Sequence, residues 1–494
     1  MSKNTTSQSA PRTIAARPGR RALAATAITT AAVALSFALT GCGMFDSDSV
    51  VVNVGYQSKT INTVNAGTLM RDRGEFEKAL AKAGEESGKR YRVVWQDFSS
   101  GAPLTAAMIA SHVDIGSMGD YPLLTNGSKT KKYDDATTDF IATTGYNLRG
   151  SLNQVVVPTG STATDLDDLR GASVSTSLGS AGDGMLSTAL QQAGISKDDV
   201  HVANQDPSIG AAAVEGHQVD AFAQFVPWPQ LVIFRNQGRL LYDGGDNEVP
   251  TFHGIVARSQ FSQANPEVMT AFMQALRDTT DYITGQPMQA AKRVSEITGI
   301  EPEVVYLYNG PNGLVSFDPT IKEQFGPALE KVKAYLVSRG SVAEDFDIAR
   351  FTDTEYLRRL YGPEYAAKAS DVGNPSRLRG TDDLCGLPVG DPALASEVWF
   401  AGQDSTDVAA TPSCALRRIA DTDTAVRAAY VPDAVTATKL FASHATWLAD
   451  PTATASRRYL PFATAAGAAT YRASHPELTE VSYETAVSQS RSTT

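Results

Sequence analysis

Residues 151–195 read SLNQVVVPTGSTATDLDDLRGASVSTSLGSAGDGMLSTALQQAGI, and this stretch decides the fold. The apolar run 155–157 predicts a strand, Pro158 and Gly160 a turn, and 166–170 a short acidic-to-basic helical turn. A second strand is expected over 172–176, then a Gly/Ser loop over 177–184, then a helix whose apolar side carries Met185, Leu186, Ala189, Leu190 and Ala193. Strand, loop and helix in that order form a unit of an α/β sheet. The loop enters a helix at its N-terminus, so its backbone N–H groups and hydroxyls are expected to face a ligand at the strand's carboxyl end.

The same rhythm extends towards the N-terminus. Strands are expected over 50–54, 91–95 and 113–117, with helices over 64–83 and 104–109, which reads as a parallel sheet being wound. Gln57, Ser100 with Gly101, Asp120, and Ser177 with Gly179 and Ser180 each stand where such a strand ends, and open α/β sheets bind ligands at that edge. Taken singly, a serine or aspartate there is also an ordinary helix cap. Towards the C-terminus the chain crosses into a second lobe near 147–150 and returns near 243–249 to a strand over 254–257, and two crossings make a hinge. Phe225 and Trp228 fall on a loop expected to face the cleft, where an aromatic face covers an alkyl chain or stacks on a cation; packing under the Pro227-Trp228-Pro229 turn is the alternative.

Four segments then carry a resemblance: Val54-Gly55-Tyr56-Gln57, the VDIGSMGDYP of 113–122, the VVVPTGSTATDLDDLRGASVSTSLGS of 155–180, and Val219-Asp220-Ala221-Phe222 followed by Pro227-Trp228-Pro229. In this order and spacing, over about residues 50–345, they resemble the nitrate, taurine and aliphatic-sulfonate substrate-binding proteins of ABC importers. The resemblance implies an α/β, two-lobe type II periplasmic-binding fold with a hinge. Lobe 1 would comprise 51–146 and 247–365, and lobe 2 147–246. It implies a monomer without cofactor or catalytic role that captures a small polar solute, sulfonate- or nitrate-like, and delivers it to an ABC permease and its ATPase. The ligand-binding residues would be Gln57, Ser100, Gly101, Asp120, Ser177, Gly179, Ser180, Phe225 and Trp228. Asp183 lies in the same turn as Gly179, and Lys59 is the one cation in the matching loops, so larger polar or zwitterionic ligands stay open. Thiamine-precursor synthases share this fold, but their cysteine-rich motif has no counterpart here. No metalloprotease, nucleophile-elbow or Walker A motif occurs either.

The first 41 residues hold five basic side chains and no acid, followed by an Ala-rich apolar run over 22–39, the pattern of a signal peptide. Leu39-Thr40-Gly41-Cys42 has the form of a bacterial lipobox, which implies lipidation of Cys42, a tether over 42–50 and a lipid-anchored, extracytoplasmic location on the cell membrane. Arg20-Arg21 leaves the choice between Sec and twin-arginine export open. Losing those five of the 43 basic residues leaves 38 against 54 acidic ones, about −16, and no basic face for nucleic acid.

Ser, Gly, Asn and Pro over 366–381 read as a linker to a small α+β domain over 382–494. Strands are expected over 398–400, 427–431 and 459–462, with a helix over 464–474. Cys385-Gly386-Leu387-Pro388-Val389, Ala429-Tyr430-Val431, Ala445-Thr446-Trp447-Leu448 and the 459–484 ending resemble copper-chaperone lipoproteins of nitrous oxide reductase. That resemblance implies a Cu(I) site as the alternative function, although Leu387 replaces the soft Met ligand of that family. Cys385 and Cys414 have three readings: a disulfide, worth about 3–4 kcal/mol in the chain-entropy model; a metal site with His444 and His475; or free thiols.

Overall fold

The computed structural model describes residues 49–491, so the leader, Cys42 and most of the tether lie outside the described residues. Ser49, assigned to the tether from sequence, already belongs to the first strand, which the sequence places from residue 50. Among the described residues no helix is long and apolar enough to cross a membrane.

Four strands come first: β1 (Ser49–Tyr56), β2 (Arg90–Asp97), β3 (Ile115–Gly119) and β4 (Thr138–Asn147). Five follow: β5 (Asn153–Pro158), β6 (Ser173–Thr176), β7 (His201–Asn204), β8 (Ala221–Phe225) and β9 (Gly238–Asp243). A tenth, β10 (Thr251–Arg258), returns to the first group. The sheets run β2-β1-β3-β10-β4 and β7-β6-β8-β5-β9. Neither is wholly parallel. β1 pairs parallel with β2 and β3, but β10 is antiparallel to β3 and β4. In the second sheet β6 is parallel to β7 and β8, whereas β5 is antiparallel to β8 and β9. The three strands expected to wind in parallel, β1 to β3, do so, whereas β5 and β10, each entered just after a crossing, run against the rest of their sheets because a chain changing sheets enters from the opposite end.

In the deciding stretch the strand, 3₁₀ turn (Leu166–Leu169), strand and helix (Ala181–Gln192) appear in the expected order. The helix expected over 64–83 is instead three pieces, Ile61–Ala66, Thr68–Arg73 and Glu75–Ser87. Gly74 at φ 63 ends one helix and starts the next, a left-handed conformation that glycine adopts without steric cost. The chain over 348–370 is likewise broken into short helices, Ile348–Phe351, Glu355–Tyr361 and Tyr365–Ser370.

The C-terminal unit is α+β. A four-stranded antiparallel sheet contains Ser396–Phe400 and Val426–Pro432 at its centre, and a three-stranded sheet is built on Thr446–Ala449. Its aromatic side chains Trp399, Tyr430 and Phe441 are not packed among themselves alone. They enter one core with Tyr306, Leu307 and Val315 of the preceding helical region and with Val226 and Leu231 beyond β8. Lys439 seals this junction: its Nζ donates to Glu397 Oε2 (2.6 Å) and to Pro311 O (2.9 Å), beneath the rings of Tyr306 and Tyr430. The stretch expected to be a linker is pinned too. Asn374 Nδ2 donates to Gly313 O (3.2 Å), and Asn312 N–H donates to Ser376 O (2.8 Å).

Candidate functional site

The carboxyl ends of β1, β2 and β3 meet those of β6 and β8 across a cavity of about 200 Å³. Gln57, Ser100, Gly101, Ser177, Gly179, Ser180 and Phe225 all line it, from four segments distant in sequence. Gln57 is buried, and its Nε2 donates to Ser117 O (3.1 Å), which holds the side chain at the floor. Ser100 precedes the helix Gly101–Ile109 but makes no capping hydrogen bond, so its hydroxyl is not spent on that helix. The helices Gly101–Ile109, Asp120–Thr130 and Ala181–Gln192 all start at residues on or beside this cavity. Their dipoles bring partial positive charge to it.

The 177–184 loop behaves differently from the expected cradle. Leu178 N–H donates to Asn204 Oδ1 (3.1 Å), Gly179 N–H to Asp183 Oδ2 (3.0 Å) and Ser180 N–H to Ser177 O (3.0 Å). Ser177 Oγ donates to Gln205 O (2.8 Å) and accepts from Gln224 Nε2 (2.8 Å). The N–H groups of Leu178, Gly179 and Ser180 are therefore spent within the second lobe, and these three residues give the cavity shape rather than free amides. Asp183 is buried beneath it, accepting from Tyr335 Oη (2.8 Å) and pairing with Lys197 (3.4 Å), so its carboxylate is not part of the lining.

Two expected residues fall elsewhere. Asp120 is buried and accepts from Thr251 Oγ1 (2.8 Å) and Tyr121 N–H (2.9 Å), joining its helix to β10 rather than lining the cavity. Burial pushes its pKa up to about 6, against the lowering by those hydrogen bonds. Trp228 faces a neighbouring cavity of about 260 Å³ with Asp97 and Asp206; Gln57 lines both.

Two residues on the lining were missed from sequence. Lys129 lies in the last turn of its helix, and His253 lies on β10 opposite Gly119 of β3, a glycine whose missing Cβ leaves room for the imidazole. His253 is 6% exposed and its Nδ1 has no hydrogen-bond partner. Burial pushes its pKa down to about 3, so the ring is neutral. Lys129 is then the one formal charge on the lining, and no carboxylate joins it. Neither residue sits in a recognisable motif, and His253 belongs to the strand only because β10 begins at Thr251 rather than at Gly254.

In the C-terminal unit Cys385 and Cys414 form a disulfide, with Cα atoms 6.2 Å apart. Among the described residues the one group of ligand-type side chains close enough for a metal is Asp382, Cys385 and Cys414, and the disulfide consumes both thiols. The alternative metal set is not assembled. His444 Nε2 faces Asn236 Oδ1 (3.1 Å), and His475 stacks on Tyr471 at 4.1 Å.

A family model described as "NMT1/THI5 like" matches residues 141–290. A protein of Bacillus subtilis (strain 168) named for aliphatic-sulfonate binding is 23% identical over 336 residues, 66% of this chain and 94% of its own. The taurine-binding periplasmic protein of Escherichia coli (strain K12) is 24% identical over 295 residues, 59% of this chain and 83% of its own. Among solved structures, the alkanesulfonate-binding protein of Xanthomonas axonopodis pv. citri bound to MOPS superposes with a TM-score of 0.52 at 20% identity, covering 62% of this chain and 98% of that one. The fold is that of the two-lobed periplasmic-binding proteins, with additional C-terminal sheets and helices.

Proposed function

We propose that this chain is an extracytoplasmic solute-binding protein that takes a small sulfonate-class anion into the interlobe cavity and presents it to an ABC permease and its ATPase. The observation that carries the reading is the charge of the lining: Lys129 with no carboxylate, in a chain whose formal charge is −11. Three helix starts reinforce it, since partial positive charge there favours an anion. Phe225, Leu178 and Pro122 supply an apolar wall for an organic tail. The names of the relatives point to the same ligand class. Gln57, Ser100, Ser177 and Ser180 are the proposed polar contacts, and Trp228 a wall for longer solutes.

The test is calorimetric titration of the chain with taurine, ethanesulfonate, MOPS and nitrate. Saturable binding of a sulfonate is expected, weakened about ten-fold or more in Lys129→Gln, equivalent to at least about 1.4 kcal/mol. No binding of any of the four, or unchanged affinity in Lys129→Gln combined with Ser100→Ala, would remove the proposal. The protein is further proposed to act as a monomer tethered through lipidated Cys42. Cys42→Ser should move it from the membrane fraction to the soluble fraction on cell fractionation, and an unchanged distribution would count against the anchor.

A further inference from the structure

A second cavity, of about 360 Å³, lies at the junction between the first crossing, the 312–316 turn, the 372–377 segment and the C-terminal unit. Arg149, Arg377 and Lys439 line it, and no carboxylate does. The charge of Lys439 is already spent on Glu397 at 2.6 Å. Arg149 Nη2 stands 3.9 Å from Asp246 Oδ1, beyond hydrogen-bond reach, and its Nε is shut off from solvent with no acceptor. Arg377 Nε makes a long hydrogen bond to Asn374 O (3.3 Å). The amide of Asn312 is oriented by its Oδ1, which accepts from Leu378 N–H (3.3 Å), and its Nδ2 is left buried without a partner. Two guanidinium groups and an orphaned amide donor thus surround one space. Leaving buried donors unpaired costs of order 1–3 kcal/mol each, a cost that acceptor oxygens would remove.

We propose that this junction cavity is a second ligand site, for a small oxyanion of the phosphate or carboxylate class held by Arg149, Arg377 and Asn312 Nδ2. Guanidinium forks match the paired oxygens of such anions, whereas a cation would face only positive charge. The volume exceeds a single phosphate and admits an organic phosphate or a polycarboxylate such as citrate. The site is separate from the interlobe cavity and shares no lining residue with it. Arg149 belongs to the crossing between the sheets and Arg377 to the segment leading to the C-terminal unit, so the bound anion joins the two.

The experiment uses the full chain with inorganic phosphate and, in parallel, citrate as probes. Phenylglyoxal modification followed by peptide mass spectrometry should show Arg149 and Arg377 protected by the probe, and Arg359, which lies away from the cavity, unprotected. Calorimetry should show each of Arg149→Gln and Arg377→Gln weakening the probe about five-fold or more, as expected for loss of a charge-assisted contact. Lys129→Gln should leave that affinity unchanged. Absence of protection in the unmodified chain overturns the proposal, and so does binding that survives both arginine variants but is lost in Lys129→Gln, which would place the anion between the lobes. The protection measurement needs no variant, so a misfolded variant does not rescue or defeat the idea.

Discussion

His253 and Asp120 sit next to the same cavity floor and titrate in opposite senses. The native His253 ring stays neutral down to about pH 3, whereas the unfolded chain takes up a proton near 6.5. Between those values the unfolded state holds more protons, so stability falls as pH drops through that window, by up to about 5 kcal/mol at 1.36 kcal/mol per unit. Asp120 has its native pKa raised from 3.8 to about 6, so its native state holds the extra proton and stability falls as pH rises across that interval. His253→Gln is therefore predicted to lose less stability than the parent chain between pH 6.5 and pH 4. Urea denaturation at several pH values measures this, and equal losses in the two proteins would mean that His253 is not held neutral. No motif adjacent to His253 marks the site in the sequence: a glycine on the neighbouring strand, Gly119, makes the space for its ring.

At the scale of elements, the helix Ala181–Gln192 of the second lobe touches the first lobe beside the cavity. Tyr335 Oη donates to Asp183 Oδ2 (2.8 Å), and Tyr121 packs over Gly184 so closely that a Cβ there would stand 2.0 Å from Tyr121 Cε1. Gly184→Ala is thus expected to wedge the lobes apart even though alanine favours the helix itself. Small-angle scattering should report a larger radius of gyration, and solute affinity should fall about ten-fold or more, the signature of a less populated closed form. Tyr121→Ala in the same chain should restore both, and failure to do so would mean that the glycine is needed for the helix alone. The Gly-rich spacing around residue 184 was legible as a loop entering a helix. That one of its glycines admits a tyrosine from the other lobe was not, because Tyr121 lies more than sixty residues away.

The whole molecule departs most from the expectation of two lobes followed by a separable domain. Trp399, Tyr430 and Phe441 complete a core begun by residues between 61 and 317, and Phe441 also meets Phe234 with ring centroids 5.1 Å apart. His444 reaches Asn236 on the same side. The C-terminal unit is thereby joined both to the helical region after β10 and to the segment after β8. Phe441→Ala is predicted to cost about 3–5 kcal/mol, typical of deleting a buried aromatic ring. The loss should appear in unfolding of the two lobes, followed by tryptophan fluorescence of Trp95 and Trp228, as well as in the C-terminal unit. If only the C-terminal unit is destabilised, the shared core does not couple them.

Read alone, the sequence determined the local alternation of strands, loops and helices, the strand ends at which Gln57, Ser100 and Ser177 stand, and an α+β C-terminal region. Those features follow from apolar periodicity and from Gly, Pro and Ser punctuation, which act over a few residues. Only the tertiary structure decided that Asp120 and Asp183 turn away from the cavity, that Lys129 and His253 line it, and that the C-terminal unit shares a core with the lobes. Periodicity reveals which face of an element is apolar but not which distant element covers it. A side chain's partners, exposure and charge state depend on that covering surface.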